Sequence, residues 1–252
     1  MNTQIKALAA TALLALSAAT HAVPVTGQGI WQTDLLARDA NGNAVALSDA
    51  NATYFYSQSM NVTWLGNFNV NGAQTWTTAN SWAQNYSVNI GGVTVDNWRL
   101  PNIIDSGTSG CNFSYTGGTD CGYNVQTEVN GAYSEWAYLF HTILGNKAYY
   151  APGTTTEQSG WGLTNTAYFD NMLADGYWSG TGYAPSTNNA WAFFTYDGGQ
   201  DGGDVGYQLY AVAVRPGDVL REAGTVPEPG VLVLAAVAVV GLGVASRRRR
   251  AA

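Results

Sequence analysis

The sequence predicts an α+β domain set between two apolar terminal segments. Two observations carry that prediction. Apolar residues recur at helical spacing twice in the first part of the chain, at Ala79, Trp82, Ala83 and Tyr86 and again at Trp136, Leu139, Phe140, Ile143 and Leu144. After Lys147 the pattern changes to short runs separated by glycine-rich stretches, which read as antiparallel strands. Helices early and strands late, with no internal repeat of fixed period, describe an α+β fold.

Taken in order, residues 30–36 and 53–56 are expected as strands, separated by the turn Asp39-Ala-Asn-Gly-Asn43. That turn has the composition of a calcium loop, but its glycine stands fourth instead of sixth, and a tight Asn-Gly turn accounts for it. Residues 62–65 read as a further strand carrying Trp64. Thr77 or Thr78 is expected to cap the first helix; Ser134 caps the second and Gly145 stops it. Both apolar stripes are core faces. Later strands are expected at 176–180, 190–196 and 206–215, the last alternating Tyr207, Leu209, Ala211 and Ala213 against Gln208, Tyr210, Val212 and Val214.

The ends of the chain read as addresses. Residues 1–22 combine Lys6, an apolar run over 7–19 and the small-residue site Thr20-His21-Ala22, the pattern of a secretory signal peptide. At the other end, residues 230–246 carry no charge. As a helix they would span about 25 Å, slightly short of a ~30 Å hydrocarbon core. The four arginines at 247–250 mark the cytoplasmic end of such a span. Pro227 and Pro229 bracket Glu228 and hold that neck extended. By physics alone this is a C-terminal anchor with a proline-rich neck. The order of parts also resembles the PEP-CTERM sorting signal, with Pro227, Glu228 and Pro229 matching its motif residue by residue. That resemblance implies recognition by an exosortase, cleavage near the motif, and export in a Gram-negative, exopolysaccharide-producing cell. The transmembrane helix at 230–246 then holds the chain in the membrane only before processing, on its way to the cell surface or matrix.

Between the ends, residues 23–226 hold five basic and sixteen acidic side chains. So acidic a region repels nucleic acid and anionic lipid and favours cations, which sets nucleic-acid binding aside. Its length suits one core. Cys111 and Cys121 are the only cysteines, and in an exported chain they are expected to form one disulfide closing a small glycine-rich loop, with a metal or catalytic pair as the rival reading.

Sites for chemistry are sparse. His141 is the only histidine between the termini, and it sits inside the second helix beside a core stripe. No metal-binding histidine pair, G-x-S-x-G elbow or P-loop is present. Acids are numerous, and their spacing in sequence says little about space, so a carboxylate pair for glycoside hydrolysis stays open. Asp197, Asp201 and Asp204 lie on a glycine-rich stretch that has two readings: a calcium site built from three carboxylates, or a solvated loop joining two strands. The nine Trp, fifteen Tyr and seven Phe residues supply both core bulk and flat faces on which a pyranose ring can lie.

Four short motifs in fixed order carry a second resemblance: Trp98-Arg99-Leu100-Pro101, the helix beginning at Glu135, Tyr177-Trp178-Ser179-Gly180, and the closing run at 210–217 with Arg215. Together with Thr63-Trp64-Leu65 and the helix over 76–83, they resemble the Lcl C-terminal-type domain across residues 62–217. The resemblance implies a fold similar to C-type lectins and formylglycine-generating enzymes. It also implies structural roles for the motif residues, with Arg99 and Arg215 buried against backbone carbonyls or a carboxylate. The Glu-Pro-Asn, Gln-Pro-Asp and Trp-Asn-Asp motifs of calcium-dependent sugar sites are missing, as is the cysteine pair of the oxidising enzymes.

These readings divide the chain into a signal peptide (1–22), N-terminal strands and turn (23–61), the lectin-like domain (62–217), a linker (218–226) and the sorting signal (227–250). They describe an exported, non-catalytic surface or matrix protein whose partners are an exosortase and exopolysaccharide or other surface components. It needs no cofactor unless the acidic stretch holds calcium. An extracellular glycan hydrolase using carboxylates and a purely structural coat subunit are the alternatives.

Overall fold

Two antiparallel sheets face a shared layer of aromatic side chains in the computed structural model, which describes residues 24–107, 109–111, 120–125, 128–129 and 132–219. The expected signal peptide, sorting motif and span at 230–246 lie outside these residues. Among the described residues no helix is long and apolar enough to cross a membrane.

In chain order the first half contains the turn α1 (Trp31–Asp34), strands β1 (Leu35–Arg38), β2 (Ala44–Val45), β3 (Tyr54–Ser57) and β4 (Val62–Leu65), helix α2 (Trp76–Asn85), and strands β5 (Val88–Ile90) and β6 (Val93–Val95). Short strands β7 (Gly122–Tyr123), β8 (Glu128–Val129) and β9 (Ala132–Tyr133) precede α3 (Glu135–Ala137), which continues as a π-helix over Tyr138–Ile143. The second half supplies β10 (Gly176–Gly182), β11 (Asn189–Phe194), β12 (Gly199–Asp204) and β13 (Val214–Pro216). One sheet runs β13-β4-β3-β1-β2 and the other β10-β11-β12-β7. Residues from 23–61 and from 62–217 therefore share the first sheet. The domain is β-rich with few helices.

The strand at 62–65 forms at the expected residues, and all four of its side chains are buried. The second helical stripe faces the core, with Trp136, Leu139, Phe140, Ile143 and Leu144 fully buried; of the first, Ala79 and Ala83 are fully buried, but Trp82 and Tyr86 are only half-buried. Several expectations need correction. The segment 30–36 begins as a helical turn, because the amides of Thr33 and Asp34 both bond the Ile30 carbonyl. That turn points the buried Asp34 carboxylate at Ser57 Oγ (2.6 Å) and the Ser59 amide (2.8 Å). The cap of α2 is Thr75, two residues earlier than expected, with its Oγ1 accepting from the Thr78 amide. Ser134 stands at the start of α3, yet its hydroxyl leaves the helix to donate to Gln200 Oε1 at 2.7 Å.

The alternating strand expected at 206–215 shrinks to Val214–Pro216, and Ala211, Val212, Ala213 and Val214 are all buried regardless of parity. Conversely, the acidic stretch expected as a loop forms β12, in register with β11 from Asn189↔Asp204 to Phe194↔Gly199. Its glycines are seats for rings: a Cβ on Gly202 would come 3.1 Å from the Tyr183 ring, and one on Gly203 3.4 Å from Trp178.

Trp136 joins the two sheets. Its ring lies 5.7 Å from Trp64 on β4, 5.0 Å from Tyr177 on β10 and 5.9 Å from Phe193 on β11. The residue before it, Glu135, is held by Arg99 through two bonds of 2.7 and 2.6 Å. The Asn102 amide adds a third at 2.6 Å, and the Glu135 amide returns a bond to the Asn102 carbonyl. At the far end of the π-helix, Gly145 (φ +68°) lets the chain turn where Gly29 crosses; a Cβ on Gly145 would stand 2.3 Å from the Gly29 nitrogen. A second bidentate pair, Arg38 with Asp218 (3.1 and 2.6 Å), ties β1 to the chain just past β13.

Removing Glu135 strands a partly buried guanidinium and the Asn102 amide. Glu135→Ala should cost about 2–3 kcal/mol in chemical denaturation. The double variant with Arg99→Ala should cost clearly less than the sum of the two single changes.

Candidate functional site

At the β7 side of the second sheet, aromatic rings and carboxylates gather on the surface. Tyr123 is placed there by pairing opposite Gly199. Its ring sits 5.5 Å from Tyr150 and 6.1 Å from Tyr149, and Tyr149 in turn lies 4.7 Å from Tyr150 and 4.9 Å from Trp161. The Tyr149 and Trp161 rings meet at 83°, forming a corner, and Trp161 is 37% exposed. Local backbone explains the gathering. Residues 149–158 fold back as a small hairpin, with Tyr150 bridged to Glu157 and the Ala151 amide bonded to the Thr156 carbonyl.

Glu157 fixes the corner. One carboxylate oxygen accepts from the Trp161 indole at 2.9 Å and the other from the Tyr149 hydroxyl at 3.2 Å. The Glu157 charge is the main reason the Tyr149 phenol is pushed above its usual range. Asp197 plays the matching part on the other flank, accepting from the Tyr123 hydroxyl at 3.3 Å and the Gly199 amide at 2.9 Å. Burial, helped by the Asp197 charge, pushes Tyr123 up to about 12. Both phenols therefore remain neutral donors near pH 7.

The disulfide between Cys111 and Cys121 is present. Asp201 lies beside it, with one carboxylate oxygen 3.1 and 3.3 Å from the two sulfurs. Bonded sulfurs carry no proton, so these are close contacts and not hydrogen bonds. The three aspartates proposed for calcium are not brought together. Asp197 sits in the turn before β12, and Asp201 and Asp204, three apart on one strand, point to opposite faces. Among the described residues, the group of three potential ligands that does converge is Cys111, Cys121 and Asp201, and its sulfurs are consumed by the disulfide.

The other sequence-derived residues are structural in their contacts. Trp98 and Leu100 are buried, and Pro101 receives a bond from the Gly180 amide on its carbonyl. The Tyr177 hydroxyl accepts from the Leu173 amide at 2.8 Å and the Trp178 indole donates to the Gln74 carbonyl at 2.8 Å. Arg215 donates to the Asp218 carbonyl at 3.3 Å. His141 lies against the Phe140 and Phe193 rings, with Nδ1 3.1 Å from the Asn146 carbonyl, and burial lowers its basicity. A neutral imidazole held by backbone and rings is not arranged as a catalytic base.

Compared with known proteins, the chain matches no family model, no curated protein and no solved structure. What it does is therefore argued from its own residues. Of the corner, sequence reasoning had found only Asp197; Tyr123, Tyr149, Tyr150, Glu157 and Trp161 were hidden in a general aromatic excess. The Tyr149-Tyr150 pair, beside an exposed hairpin, was the available signal.

Asp201 gives a pH test. Burial raises its carboxyl above the ordinary 3.8, with one opposing bond from the Gly202 amide. A raised acid stabilises the fold only while protonated, and that contribution is lost as pH rises through the folded-state value. Asp201→Asn should therefore melt higher than the parent at pH 7, and the gap should close below about pH 4. Melting curves at both pH values check this.

Proposed function

We propose that this chain is an exported, non-catalytic surface or matrix protein whose domain holds extracellular polysaccharide. The observation that carries the binding part is the corner made by Tyr149 and Trp161 and locked by Glu157. Rings fixed before a ligand arrives lose little freedom on binding, and their faces suit the apolar side of a sugar ring. Carboxylates at the rim can accept from sugar hydroxyls. The acidic character of the region favours neutral or cationic glycans over polyanions.

Export and sorting rest on the terminal segments: the signal peptide at 1–22 and Pro227, Glu228 and Pro229 ahead of the apolar run and arginines. In this reading an exosortase recognises the motif, the membrane holds the chain briefly, and the domain is released to the surface. The W-R-L-P and Y-W-S-G motifs support a C-type-lectin-like class for that domain.

Two measurements test the proposal. Mass spectrometry of protein from the cell surface and medium should find the chain ending near Pro229; an intact end at Ala252 in every fraction would refute sorting. Trp161→Ala should weaken retention on purified exopolysaccharide about tenfold, a loss of about 1.4 kcal/mol. Release of new reducing ends during that binding, abolished by Glu157→Gln, would replace the binding reading with hydrolysis.

A further inference from the structure

Helix α2 buries Ala79 and Ala83 and turns its other side outward. That side lines a shallow groove of about 640 Å³, with Thr77, Thr78, Ser81 and Asn85 beside Trp82 and Tyr86. The residues fall at three- and four-residue spacing, so they form one continuous strip. The rings of Trp82 and Tyr86 stand 5.7 Å apart at 55°. Tyr86 is braced from behind by the buried Trp98, edge-on at 5.4 Å. Burial keeps the Tyr86 phenol above its usual range and hence protonated.

Two features say what fits here. No charged side chain lines the groove, although the chain as a whole carries a net charge of −7. Among the described residues, neither the Trp82 indole N–H nor the Tyr86 hydroxyl has a hydrogen-bond partner, so both donors are open to a ligand. Flat rings, unpaired donors and hydroxyl and amide groups, with no charge to neutralise, match the chemistry of an uncharged glycan. The groove is shallow and open to solvent, which suits a segment of polymer lying across it better than an enclosed small molecule.

We propose that the α2 groove binds an uncharged polysaccharide segment, as a second contact separate from the Tyr149–Trp161 corner. The ligand class rests on the polysaccharide reading above; the surface does not. Helix α2 is fastened at β10, where the Trp76 indole donates to the Ser179 carbonyl at 2.8 Å. The corner lies beside Tyr123 of β7, at the opposite side of the order β10-β11-β12-β7. The two surfaces therefore attach near opposite edge strands of that sheet.

The test is affinity electrophoresis of the exported protein through gels holding a neutral β-glucan, a neutral galactomannan, hyaluronan or chitosan oligosaccharides. A neutral polymer should retard the parent equally at about 0.05 and 0.5 M salt, because no ion pair is involved. Ser81→Glu, at an exposed position away from the core, should reduce that retardation at least tenfold with an unchanged melting temperature. Trp82→Ala should reduce it as well, with some loss of melting temperature because Trp82 also packs on the core. The groove proposal falls if no neutral polymer retards the protein, if only the charged polymers do, or if Ser81→Glu leaves retention intact. Loss in Trp161→Ala with retention in Ser81→Glu would remove the groove and keep the corner; the reverse would remove the corner and keep the groove.

Discussion

The carboxylate of Glu135 is the constraint on which the rest of this fold depends. Arg99 grips it with two nitrogens and the Asn102 amide with a third donor, so the entrance to α3 has one permitted geometry. The next side chain is Trp136, whose ring touches both sheets. A small rotation at Glu135 would be carried directly into Trp64, Tyr177 and Phe193. The pair is partly exposed, with Arg99 at 28% and Glu135 at 9%, so its Coulomb energy alone is modest. Its importance is directional, since bidentate geometry fixes an angle as well as a distance.

Around that point the molecule substitutes rings for aliphatic bulk. Trp64, Trp136, Trp178 and Trp191 are among the largest fully buried side chains, and glycines on β12 make room for Tyr183 and Trp178. The same excess of aromatic residues reaches the surface at two places. At one, acids lock the rings from the flank; at the other, a buried tryptophan braces them from behind. Both devices hold a flat face still, which is what a weakly interacting, hydroxyl-rich ligand needs from its receptor.

How much of this was legible in the sequence follows from how local each cause is. The stripe from Trp136 to Leu144 and the strand at 62–65 depend on neighbours along the chain, and both stand where periodicity put them. The Cys111–Cys121 bridge was legible because the chain has no other cysteine to pair with. Residues 206–215 misled because their alternation was incidental; Ala211 to Val214 are enclosed on every side, so burial carries no parity. Gly199–Asp204 misled in the other direction, since its glycines disguise a strand that seats the rings of Tyr183 and Trp178, nineteen and twenty-five residues away from Gly202 and Gly203. The aromatic corner depends on Glu157 reaching Tyr149 and Trp161 across a hairpin, and composition cannot place such a meeting.

The Arg38–Asp218 pair has a mechanical consequence. Strand β13 borders the first sheet beside β4, with Val214 also bridged to Arg99, and it is the last strand among the described residues. Force applied past this strand would reach the domain at Asp218, where Arg38 on β1 holds the carboxylate across the sheet. The load is thereby shared with a strand three places inward before β13 can peel away. A pull from beyond Asp218 would therefore load β1 and β13 together.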